Sequence, residues 1–266
     1  MRDLSRCAVH TITCKPWSLS ACCEKFAAAG CGGISVWRDV IEPIGIAEAA
    51  RLVKASGLKV PALVRGGFFH EADALDVNRT CIDEAAALGS EMVVLVAGAV
   101  PGEPMGEQHK RVADAIATLV PHAEANGVKL ALEPLHPMYA DTRSCVTRLK
   151  DATDIAEHVG HPLVGVAVDV YHVWWDPDLA YEIEMCARFD RLLAFHVCDW
   201  RVPTRDFLTD RGVIGEGCID VVGIRQLVEE AGFDGLHEIE IFSTEGWAGD
   251  QNDWLARVLT GYREHA

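Results

Sequence analysis

The feature that most constrains this chain is a rhythm repeated eight times. A short apolar or β-branched run is followed by an Ala-rich amphipathic stretch, then a glycine, then the next run. The runs are expected as strands at 7–13, 33–37, 59–64, 92–97, 129–133, 163–168, 192–197 and 235–241. The stretches between are expected as helices at 19–29, 45–56, 73–88, 106–126, 144–159, 179–189, 221–231 and 250–264. Ser18 is placed as an N-cap. Gly30, Gly57, Gly89, Gly127, Gly160 and Gly232 each follow a helical stretch, where a left-handed residue closes the last turn.

Strands that alternate with helices pair in parallel, because the crossover helix returns the chain to the same end of the sheet. Eight such units need about 250 residues when closed into a barrel, and the chain has 266. The expected fold class is therefore α/β, a single (β/α)8 TIM barrel over residues 1–266 as one domain. A doubly wound sheet would need a Gly-rich phosphate turn after its first strand. The sequence there is Thr13-Cys14-Lys15-Pro16-Trp17.

Bulk properties narrow the function. Half of the residues are hydrophobic (50%), enough for a large core. A formal net charge of −16 speaks against nucleic acid as a partner, since phosphate backbones attract basic surfaces. No apolar run approaches the ~18–20 residues of a membrane span, and the opening Met1-Arg2-Asp3-Leu4-Ser5-Arg6 lacks signal-peptide character. No membrane partner and a cytoplasmic location are expected. The ten cysteines form no C-x-x-C pair and sit in apolar surroundings, so they are expected as reduced thiols.

Catalytic groups of a parallel barrel gather at the C-terminal ends of its strands. Strand five ends in Glu133-Pro134-Leu135-His136, strand six in Asp169-Val170-Tyr171-His172, strand seven in His196-Val197-Cys198-Asp199, and strand eight in Glu240-Ile241-Phe242-Ser243. A lone acid after a strand is ordinarily a helix cap or a solvated loop residue. Four ligand-type residues ending four consecutive strands point instead to one metal held by Glu133, Asp169, His196 and Glu240. Three carboxylates and one imidazole suit manganese, magnesium or cobalt better than a thiolate zinc site would. Glu238 shares the parity of Glu240; Glu240 is taken as the ligand because it lies nearer the rim, and Glu238 as a buried outer partner.

His172 is a candidate for substrate binding or acid–base work, and His136 a weaker one. The long segment after strand seven, from Asp199 to Gly217, offers Arg201 and Arg211 as contacts for substrate oxygens. Rim aromatics pack on sugar C–H faces or on one another; Trp17 and Phe68 are retained as binding candidates. His10, Arg38 and Arg65 are further candidates to face the pocket.

Glu133-Pro-Leu-His-Pro, Asp169-Val-Tyr-His172, His196-Val-Cys-Asp, Asp210-Arg211-Gly-x-x-Gly-x-Gly and Glu238-Ile-Glu240-Ile-Phe-Ser together resemble the sugar phosphate isomerase/epimerase family of the xylose isomerase-like barrel superfamily. The resemblance runs along essentially the whole chain. It implies a carbohydrate substrate, one manganese-type ion on the four residues above, and proton exchange with the substrate carbon by Glu133 and Glu240. It also implies substrate contact by His172 and by one arginine after strand seven, for which Arg201 and Arg211 compete. The activity implied is isomerisation or epimerisation of a keto-sugar or keto-polyol through an enediolate, with catalytic Glu133, Glu240 and His172. The same scaffold serves inosose dehydratases and lyases of 3-keto-glycosides, including C-glycoside cleavage, so a metal-dependent lyase or dehydratase is the alternative. A noncatalytic sugar-binding or complex subunit is the second. Homo-oligomers are implied by the family, with a hetero-complex as the other option.

Overall fold

The structure, a computed structural model, describes residues 2–266. In chain order the strands are β1 (Cys7–His10), β2 (Gly33–Trp37), β3 (Ala62–Gly67), β4 (Met92–Val96), β5 (Lys129–Glu133), β6 (Val164–Asp169), β7 (Leu192–Val197), β8 (Asp199–Trp200), β9 (Arg211–Gly212) and β10 (His237–Ile239). The helices are α1 (Leu19–Ala28), α2 (Ile46–Ser56), α3 (Ala74–Leu88), α4 (Met105–Asn126), α5 (Leu149–Val159), the short α6 (Val170–Val173), α7 (Leu179–Arg188), α8 (Val221–Glu230), α9 (Thr244–Ala248) and α10 (Gln251–His265). Strands β1 to β7 and β10 form one closed barrel, with β10 hydrogen-bonded to both β7 and β1. All of these pairings are parallel. The expected eight-unit (β/α)8 barrel is the fold.

Most expected boundaries agree within a residue or two. The expected first strand stops early, because Thr11–Cys14 turns into a short 3-10 segment. The third is displaced toward the rim, to Ala62–Gly67. The helix expected at 144–159 begins only at Leu149; Ser144 instead bridges to Gly98.

Alternation along the strands sorts residues into two cores. One face packs against the surrounding helices through residues such as Leu130, Val166 and Phe195. The other fills the barrel with Ala62, Val64, Met92, Val94, Ala131, Ala167 and Ala194. Three of these lie on β5, β6 and β7, two residues before Glu133, Asp169 and His196. Small side chains in the inner layer leave room above them, and the same parity turns the next inward residue of each strand into that space. Among the described residues no disulfide forms; Cys218 is exposed and the other nine cysteines are buried thiols.

Two local devices shape the rim. Val64 pairs with Val94 but Gly66 with Leu95, so Arg65 is an extra residue in β3. Such a bulge re-aims the side chain it carries. The buried Asn78 clamps the backbone just beyond it, accepting from Gly67 N–H at 2.7 Å and donating to Gly67 O at 2.9 Å. The second device is the antiparallel ribbon of β8 and β9, which pairs Trp200 with Arg211.

Candidate metal centre and active site

Glu133, Asp169, His196 and Glu240 converge at the C-terminal mouth of the barrel. Each is buried and offers one ligand atom, and these atoms lie within 4.8 Å of one another. Asp169 pairs with His196 in register, and Glu238 is level with His196, so Glu240 is the next residue of the same parity beyond Glu238, toward the mouth. His196 Nδ1 lies 2.9 Å from Glu133 Oε1. Arg211 Nη1 donates to Asp169 Oδ2 and to Glu240 Oε2, each at 2.9 Å.

A second shared set lies directly beneath. His10, His196 and Glu238 also converge, all buried. Glu238 Oε2 accepts from Ser35 Oγ at 2.6 Å and faces His10 Nε2 at 3.5 Å and His196 Nε2 at 3.8 Å. His10 Nδ1 is 3.1 Å from Glu240 Oε1. Glu238 therefore sits behind the quartet, as a partner of its imidazole and of His10.

Electrostatics follow from burying four carboxylates around so few cations. Burial pushes the Asp169 carboxyl up to about 6, with Arg211 opposing the rise. Burial acts the same way on Glu240, but His10 and Arg211 outweigh it and hold this carboxyl well below its usual range. His196 moves oppositely: burial disfavours its charge, yet Glu133, Glu238 and Glu240 raise its pKa to about 10. The imidazole is held protonated by surplus negative potential. A divalent cation would answer that potential and displace the proton, and metal ligation requires a neutral imidazole. His196 turns Nδ1 to Glu133 of the quartet, while its buried Nε2, toward Glu238, has no hydrogen-bond partner among the described residues. The donor set thus fits a divalent ion.

His172 is buried beside this set. Burial and the Arg211 guanidinium drive its pKa well below the usual value, so the ring is neutral. Its Nδ1 accepts from His136 N–H at 3.1 Å, and its Nε2 lies 3.2 Å from the donor Arg211 Nη2 and 3.6 Å from Asp169 Oδ2. Arg211 is fixed by β9: its N–H donates to Phe242 O at 2.9 Å, and its guanidinium lies over Tyr171 and Phe242, 4.4 and 5.0 Å from the ring centroids.

The cavity above the quartet is narrow and lined by Glu133, Glu240, His172 and Arg211, with Arg65, Arg143 and Tyr139 at its wall. It adjoins a wider space of about 380 Å³ lined by Trp37, Arg65 and Phe68.

Other sequence candidates lie elsewhere. His10 is wholly buried behind the carboxylates, so it supports Glu238 and Glu240 and offers no surface to a substrate. Arg201 is drawn away by Glu245 at 3.0 Å and Asp210 at 3.4 Å, which leaves Arg211 at the cavity. Trp17 packs toward Phe26, ring centroids 6.5 Å apart, and lines neither cavity. Phe68 lines the outer cavity, as does Arg38, which is paired with Glu84 at 2.6 Å. His136 stacks near Trp200, 5.2 Å between centroids. Sequence reasoning missed Arg143 and Tyr139; both stand on the irregular connection after β5, where no periodicity marks an inward residue.

A closed parallel (β/α)8 barrel with a buried cluster of three carboxylates and one imidazole at its C-terminal mouth defines the class of protein. The chain belongs to the xylose isomerase-like TIM barrel family, whose sequence profile matches residues 23–258. It is 45% identical to a Sinorhizobium meliloti 1021 protein of known structure, with a TM-score of 0.93 over 98% of each chain. It is 26% identical over 219 residues to an inosose isomerase of Bacillus velezensis, covering 78% of this chain and 75% of that one. The structure of the IOLI protein with a bound zinc atom shares the fold: TM-score 0.83, 20% identity, and coverage of 97% of this chain and 96% of that one.

Proposed function

We propose that the protein is a divalent-metal-dependent isomerase or epimerase of a keto-sugar or keto-polyol. The observation that carries this reading is the buried convergence of Glu133, Asp169, His196 and Glu240, two of whose carboxylates line the cavity. The relationship to an inosose isomerase supports a polyol-type substrate. Glu133, Asp169, His196 and Glu240 would hold the ion, with manganese the expected one on this oxygen-rich set. When bound, the ion supplies Lewis-acid polarisation of a substrate carbonyl.

The chain's own residues do the rest. One of Glu133 and Glu240 takes the proton from the carbon beside the carbonyl, and the bonding pair moves onto the carbonyl oxygen as an enediolate. The other, protonated beforehand, returns a proton to the opposite face of that carbon for epimerisation, or to the neighbouring carbon for isomerisation. The carboxylates have different partners, His196 for Glu133 and His10 with Arg211 for Glu240. Unequal environments are what opposed acid and base roles require. Neutral His172, held against Arg211 through Nε2, lines the cavity and positions the substrate. The test is solvent deuterium entry into a ketose bound to manganese-loaded Glu133→Gln and Glu240→Gln variants. Each is expected to lose exchange by roughly 100-fold or more, the usual scale for a lost acid or base. Undiminished exchange in both would overturn the scheme.

A further inference from the structure

Two guanidinium groups at the mouth form no ion pair among the described residues. Arg65 and Arg143 line the narrow cavity together with Glu133, Glu240 and His172. Among the described residues no carboxylate lies within ion-pair distance of either. The half-buried Arg38, Arg148 and Arg191 all have such partners, and the remaining unpaired arginines, Arg188 and Arg263, are exposed. Arg65 and Arg143 are therefore the half-buried arginines left unpaired.

Both are built in. The β3 bulge carries Arg65, and Asn78 fixes the backbone beyond it. Arg65 lies over the Phe68 ring at 4.1 Å. Arg143 lies over Tyr139 at 5.7 Å. Its backbone is tied down, its N–H donating to Tyr139 O at 2.9 Å and its carbonyl accepting from Gly98 N–H at 3.0 Å. Burial and the nearby Arg143 charge lower the Arg65 pKa to about 10, so its guanidinium remains cationic near neutrality. The exposed Asp39 and Glu71 on the outer cavity do not reach ion-pair distance. Two partly desolvated like charges are unfavourable unless an anion joins them. A forked guanidinium presents paired donors matched to carboxylate or phosphate oxygens.

We infer that the substrate carries an anionic oxygen group, a carboxylate or a phosphate ester, held by Arg65 and Arg143 while its keto end faces Glu133 and Glu240. The orientation of the keto end rests on the reading of the site as an isomerase or epimerase. The anion site does not.

The test is calorimetric titration of the manganese-loaded protein with three probes: neutral D-fructose, the keto-acid 5-keto-D-gluconate, and D-fructose 6-phosphate. At least one anionic probe is expected to bind ten-fold or more tightly than D-fructose, and the tighter of the two identifies the anion. In Arg65→Gln and Arg143→Gln, checked for folding by thermal melting, that ratio is expected to fall toward one. Equal affinity for neutral and anionic probes overturns the inference, as does a preference that survives in both variants. Deuterium exchange is read separately. Exchange without anion preference defeats only the anion site, and arginine-dependent preference without exchange defeats only the isomerase reading.

Discussion

Asp199 holds the segment that delivers Arg211, and its removal tests how far that segment belongs to the cooperative fold. The buried carboxylate accepts four backbone N–H bonds: from Trp200 at 2.8 Å, Gly215 and Gly217 at 2.9 Å, and Ile219 at 3.0 Å. One side chain thus ties both ends of the long excursion after β7. In Asp199→Asn the amide has one acceptor oxygen, so two of the four N–H groups lose their acceptor and face an NH2 donor. A hydrogen bond to a charged group contributes about 1.5–3 kcal/mol, so two lost bonds cost about 3 kcal/mol at the low end. For a domain of this size that corresponds to a Tm roughly 6–12 °C lower. Calorimetric melting and urea titration of the metal-free protein measure it. A change below about 1 kcal/mol would refute the reasoning and show that the excursion frays independently of the barrel.

Glu238→Gln removes the carboxylate behind His196 while keeping its shape. Loss of such an outer partner typically weakens metal binding about 10–100-fold, and titration with manganese reads it; unchanged affinity would deny Glu238 that role. His237 offers a pH test away from the ligands. Burial, then Arg6, lowers its pKa from 6.5 to about 4, so the folded state holds it neutral. Its contribution is present above the unfolded value of 6.5 and is lost as pH falls toward 4. The shift corresponds to at most about 3 kcal/mol. Between pH 7 and pH 5 the parent should lose about 2 kcal/mol more in urea unfolding than His237→Asn; parallel profiles would contradict this.

The barrel was legible because its signals are local and repeated: periodicity for each element, a helix-ending glycine after most helices. The quartet was legible for a related reason, since strand ends are fixed by local pattern and parity carries the rest. What escaped depends on irregular backbone. Nothing in the order of residues says that Arg65 is a bulged residue, because a bulge is defined by its partner strand. Arg143 stands on a connection without a period. That Arg211 and not Arg201 lines the cavity depends on Glu245 and Asp210, acids outside the strand pattern that draw Arg201 outward. His10 was a candidate to face the pocket from the first strand, yet Glu238 on β10 and Glu240 just beyond it lie against its ring. In each case the deciding neighbour is distant in sequence.

Closure of the barrel by pairing Cys7 with His237 also dictates an order of events during synthesis. Glu133 leaves the ribosome first among the proposed ligands, then Asp169 and His196, and Glu240 last, on the strand that also brings Glu238 to His10. A nascent chain lacking β10 has three of the four donors, an open barrel edge between β7 and β1, and no partner for the inward face of β1. Completion of the proposed ligand set and burial of the β1 edge therefore fall in a single late step. On the proposed reading of the site, an ion offered before β10 forms would meet only three of its four donors.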